Sequence, residues 1–177
     1  MTAGIPLAHS YNLARLGNAG DTVTITADEA QRAAIAKWSG VLSLEKLEAQ
    51  VDIKRLGPNR FGLEFALEVA VTQACVVTLE PVPARIERRF TRELHFVGPV
   101  RHKPVTDDSG PDLVLDSAEE EAPEEIESLH YDLAGPVLEE YVLALEPYPR
   151  RPGVEFMPET GPSAPPESPF AVLKSLK

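Results

Sequence analysis

The chain has 177 residues, of which 43% are apolar, and carries a net charge of −11. That length suits one ordinary domain with a sizeable core and some tail, not two full domains. The acidity argues against indiscriminate adhesion to RNA or to anionic membrane, because phosphate binding needs an excess of Lys and Arg. A single cysteine, Cys75, excludes an intrachain disulfide and a thiol-rich metal site within one chain. No signal-like segment and no run of about eighteen apolar residues is present, so the expected location is cytoplasmic, without a membrane span.

Taken in chain order, Ser10–Leu16 reads as a short strand and Thr22–Ile25 as a β-branched one. A helix should follow, with Thr26 and Glu29 at capping-box spacing. Ala30, Ala33, Ala34 and Trp38 would form its apolar face, and Gly40 its left-handed cap. In the centre, Leu47, Ala49, Val51 and Ile53 alternate with polar residues, and Gly57-Pro58-Asn59 supplies a turn. Phe61, Leu63, Phe65, Leu67, Val69 and Val71 then alternate with Gly62, Glu64, Ala66, Glu68 and Ala70. Such period-two alternation predicts a strand with one buried and one solvated face. A third strand should bury Ile86, Phe90, Leu94 and Phe96, completing a meander.

Residues 98–127 lack periodicity and read as a disordered acidic loop. Between Asp107 and Glu127 there are ten carboxylates and no Lys or Arg, and subtracting them from −11 leaves a body of charge −1. Leu129, Tyr131 and Leu133 suggest a strand returning to the sheet. Gly135-Pro136 would open a helix with Pro at its first position, where the missing N–H costs nothing. Leu138, Tyr141, Val142 and Leu145 give that helix its stripe, and Pro147 stops it. The Pro-rich residues 157–177 are expected to be a disordered tail. The expected class is therefore α+β: an antiparallel meander of three long strands plus shorter ones, packed with two helices.

Candidate chemistry is sparse. Glu64 and Glu68 share a strand face, but four residues at roughly 3.3 Å each separate them by about 13 Å. Glycosidase carboxylate pairs lie closer together than that, so the two read as surface residues. The histidines His9, His95, His102 and His130 lack the spacing of a helical metal pair. No nucleophile elbow, phosphate loop or dinucleotide fingerprint occurs, so no enzyme activity, cofactor or small-molecule substrate is expected. Cys75, at the end of an apolar strand, reads as a small core residue.

A basic cluster stands out instead. Arg85, Arg88, Arg89, Arg92, Arg101 and Lys103 face only Glu87 and Glu93, a net +4. Arginine forks suit phosphate oxygens, so Arg85, Arg88, Arg89 and Arg92 are the candidate RNA contacts. Strand alternation, however, sends Arg85 and Arg89 to one side and Arg88 and Arg92 to the other. The competing reading is a solvated edge strand whose charges block edge-to-edge pairing.

The stretch Cys75-Val76-Val77-Thr78-Leu79-Glu80-Pro81-Val82 resembles the YceD family of bacterial proteins, the large ribosomal RNA subunit accumulation proteins. Many members carry Cys-x-Arg-Cys-Leu followed by a proline and a strand. Here Cys75, Leu79 and Pro81 match, while Val77 and Thr78 replace the Arg and the second Cys, a form that looks like the alphaproteobacterial branch. The resemblance spans residues 10–156, with the acidic stretch and the closing helix in the expected order, and implies one YceD-like domain over residues 1–156. It also implies a role in accumulation or processing of large-subunit ribosomal RNA, with ribosomal RNA as a partner; the alternative, read from the acidic loop, is an adaptor that holds a basic ribosomal protein there. No established enzyme activity comes with it, and the missing second Cys removes any role for a cysteine pair.

Overall fold

Alternating apolar residues build the centre of the fold. The computed structural model describes residues 6–98 and 123–154. Its elements are β1 (Ser10–Asn12), β2 (Asp21–Thr26), α1 (Glu29–Ser39), β3 (Ser43–Arg55), β4 (Arg60–Ala74), β5 (Pro81–Phe96), β6 (Glu124–Ile126), β7 (His130–Asp132) and α2 (Ala134–Ala144). The main sheet has the order β2-β3-β4-β5-β6, antiparallel except for the parallel β5–β6 pair. The class is α+β, as expected, and the three-strand meander is its centre. No helix among the described residues is long and apolar enough to cross a membrane.

Strand register converts the alternation into layers. Val51 pairs with Phe65 and Phe65 with Phe90, while Ile53 pairs with Leu63 and Phe61 with Leu94. One face of the sheet is therefore continuously apolar, and Val51, Ile53, Leu63, Leu67 and Leu94 are buried there. Phe65 and Phe90 stack in parallel, with centroids 4.5 Å apart. The helices add to this core through Ile35 and Ala36 of α1 and Val137, Leu138 and Tyr141 of α2.

Several local expectations change. The first helix is capped by Asp28 and Gln31, not by Thr26 and Glu29: Asp28 accepts from the Gln31 N–H at 2.8 Å and Gln31 accepts from the Asp28 N–H at 2.9 Å. Thr26 is instead the last residue of β2, paired with Glu48. The helix also buries a different face. Ile35 and Ala36 point inward, while Ala30, Ala33, Ala34 and Trp38 are exposed. An alanine-rich helix has little hydrophobic contrast between its faces, so a single isoleucine decides which one docks. Gly40 does form the left-handed cap, at φ +74°.

The expected strand at residues 10–16 is only the three-residue β1, followed by a 3-10 turn over Leu13–Arg15. Within the expected loop, Glu124–Ile126 instead form β6 on the edge of the sheet. The segment around Tyr131 does not return to that sheet. As β7 it pairs with β1 in a separate two-stranded sheet. The second helix starts at Ala134, which puts Pro136 at its third position, where its nitrogen is still free of intrahelical bonding. Val142, expected in the buried stripe, is 40% exposed. The expected disorder of residues 99–122 and 157–177 lies outside the described residues.

Candidate functional site

The site regions flank β5. Its start follows the turn after β4, and its length carries the arginines. Because β5 lies beside β4 with one helix against one face only, the four arginines have two different environments.

Arg88 and Arg92 pair across the strands with Leu67 and Leu63, on the apolar face that the helices cover. Their stems can lie along this surface while their guanidinium groups reach α2. There Arg92 donates to Glu139 at 2.6 Å, and Arg88 lies 3.8 Å from Glu140. Beside them, the Tyr131 hydroxyl donates to Glu124 at 3.0 Å, joining β7 to β6. Burial and the neighbouring Glu124 push that phenol well above its ordinary pKa.

Arg85 and Arg89 lie on the opposite, helix-free face, across from Ala70 and Ala66. Neighbouring charges there are consumed in pairs: Lys46 with Glu48 and Glu68, Lys54 with Glu64, and Arg60 with Glu93. Lys46 correspondingly holds the Glu68 carboxyl below its usual pKa. Arg85 and Arg89 make no ion pair with any described residue. Arg89 instead borders an open trough of about 510 Å³, together with Gln50, Asp52, Glu64, Ala66 and Thr91. The structure thus does not bring the four arginines into one patch on a face. It does confirm Glu64 and Glu68 as surface residues.

The turn before β5 is built more tightly than its sequence suggests. The Cys75 N–H donates to the Glu80 carbonyl at 2.8 Å, and the Leu79 N–H donates to the Cys75 carbonyl at 2.9 Å. Leu79 adopts φ +61°, the one non-glycine residue among those described in the left-handed region, and is 76% exposed. Two outside contacts hold the loop: Val76 N–H to the Pro149 carbonyl at 2.9 Å, and Arg151 to Glu80 at 2.7 Å. Arg151 and Thr78 keep the Glu80 carboxyl below the usual range.

Cys75 is fully buried, yet it lies in this turn and not in the main core cluster. The Thr78 hydroxyl beside it, and backbone N–H groups of Arg151, Thr78 and Val77, draw its thiol down from 9.0 to about 6, against the opposing effect of burial; that hydroxyl also lies 3.2 Å from the Glu80 carboxylate, so its one proton serves two acceptors. Sequence reasoning missed Thr78 and Arg151 as partners of this sulfur. The Thr78 spacing was visible, but Arg151 comes close only through the fold. Among the described residues, no group of three or more His, Cys, Asp and Glu is placed to hold a metal ion.

No curated protein and no solved structure matches the chain. Residues 63–177 match the family described as Large ribosomal RNA subunit accumulation protein YceD, a span that contains most of β4, the Cys75 turn, all four arginines and α2. The chain therefore belongs to the YceD family, whose name ties it to accumulation of large-subunit ribosomal RNA.

Proposed function

We propose that this chain is a non-enzymatic factor acting in the cytoplasm, supporting accumulation or processing of large-subunit ribosomal RNA. The family match carries this reading. Direct RNA contact is assigned to Arg85 and Arg89, since these guanidinium groups have no described carboxylate to displace. Arg88 and Arg92 are secondary contacts, because phosphate would first have to replace Glu140 and Glu139. Exposed ion pairs of that kind are worth only about 0–1 kcal/mol, so the exchange is affordable.

The test is complementation together with capture. Removing the protein from its host should lower large-subunit ribosomal RNA relative to small-subunit RNA, and the wild-type chain should restore the ratio. Arg85→Glu with Arg89→Glu should fail to restore it and should weaken RNA binding, with a shallower salt dependence than wild type. Unchanged RNA binding by that double variant would remove the arginine assignment. The ten carboxylates of Asp107–Glu127 favour a second reading, in which the chain holds a basic ribosomal protein. Recovery of such a protein without RNA in the same capture would favour it.

A further inference from the structure

The sheet has two unequal edges. β6 pairs with β5 only at Leu94–Phe96, so the rest of β5 has no neighbour on that side among the described residues. Backbone hydrogen-bonding groups alternate sides along a strand. The Phe96 N–H turns toward Asn59, at the β4 end, and the Val97 N–H turns toward Ile126 of β6. By this alternation, odd-numbered residues of β5 direct their backbone groups to the open edge.

Two of those positions are Pro81 and Pro83, which have no N–H to offer, a common way of blunting an edge strand. The protection stops there. Arg85, Glu87, Arg89 and Thr91 follow, each with an N–H and a C=O facing the open edge, where the Glu87 carbonyl has one long contact, 3.5 Å from the Arg88 guanidinium. Their side chains stand on the helix-free face, so the unpaired arginines lie along the unblunted part of the edge.

The same strand already shows what this edge accepts. β6 has the sequence Glu-Glu-Ile and runs parallel to β5. Glu125 aligns with His95, which shares the helix-free face with Arg85 and Arg89, while Ile126 is buried on the covered face. Farther back along β5, the covered face offers Ile86 and the half-buried Phe90.

From this geometry we infer that residues 85–91 of β5 form a strand-addition site for an extended peptide of a partner protein. The peptide runs parallel to β5, with carboxylates opposite Arg85 and Arg89, an uncharged residue opposite the exposed Glu87 between them, and apolar residues on the Ile86/Phe90 side. Its main chain completes the ladder, which gives affinity, and its acidic residues supply the specificity. Phosphodiester oxygens could meet the arginines and the N–H donors but would leave the edge carbonyls without donors of matching repeat, so a peptide fits better than RNA. Because both would use Arg85 and Arg89, peptide and RNA should exclude one another.

The experiment titrates the intact chain with a short, end-capped, fluorescently labelled peptide of repeating Glu-Val-Thr-Val, which sets Glu opposite Arg85 and Arg89 and Thr opposite Glu87, read by anisotropy. Saturable binding is expected, about tenfold weaker for Arg85→Glu with Arg89→Glu, with circular dichroism confirming that this variant is folded. The same peptide N-methylated at alternate residues keeps its charges but cannot complete the ladder, and should not bind. Equal binding of the methylated peptide would overturn strand addition, as would no binding of the parent peptide. If the parent binds only after the carboxylates between Asp107 and Glu121 are changed to amides, the chain itself holds the edge and the partner reading falls. An RNA oligomer that binds where the peptide does not would overturn this inference alone and leave the proposed function standing.

Discussion

The two faces of β5 make an instructive pair. Arg88 and Arg92 are four residues apart, as are Arg85 and Arg89, and all four belong to one strand. On one face the arginines are tied to α2 through Glu140 and Glu139. On the other they face solvent with no described partner. A four-residue repeat keeps side chains on one side of a strand, so parity sorted them and the position of one helix gave the two pairs different surroundings. The same division runs through the meander, where Phe65 is buried and Glu64, next to it, is exposed.

The largest test of this contrast concerns the core. Phe65→Ala removes a ring that stacks on Phe90 in the buried layer and should destabilise by about 3–5 kcal/mol in denaturant titration. Glu64→Ala, one residue away, should stay within about 0.5 kcal/mol. Comparable losses for the two would mean that the faces are not divided as described.

A smaller effect separates the arginine pairs. A double-mutant cycle between Arg92 and Glu139 should give a coupling of about 0.2–1 kcal/mol that shrinks with added salt. Arg89→Ala should leave stability unchanged. A larger loss from Arg89→Ala would reveal a structural partner on the open face and weaken its assignment to RNA.

The most local effect is at the Cys75 turn. Its thiol titrates lower in the folded chain, about 6, than its ordinary value of 9.0. The resulting stabilisation is fully present above about pH 9 and is lost as pH falls through about 6. Thr78→Val removes the leading hydrogen bond and should raise the thiol's midpoint, followed by ultraviolet thiolate absorbance. An unchanged midpoint would assign the effect to the backbone N–H groups alone. Burial of the sulfur should also keep its alkylation slow in the native chain.

The alternation from Leu47 to Ile53 and from Phe61 to Val71 determined the long strands and their buried sides, because a period of two commits every second residue to one face. The Gly40 cap and the family turn at Cys75–Pro81 were equally legible, being local patterns read within a few residues. The face of α1 was not legible, since its alanines provide little contrast and the docking of Ile35 was settled by the sheet. The pairing of β7 with β1 and of β6 with β5 was not legible either. Both strands have only three residues, too few for a periodic signal, and join segments far apart in sequence. For the candidate site, the sequence alone determined that four arginines lie on one strand with alternating sides. Only the tertiary structure decided which pair α2 would engage, because that depends on where Glu139 arrives, 47 residues beyond Arg92.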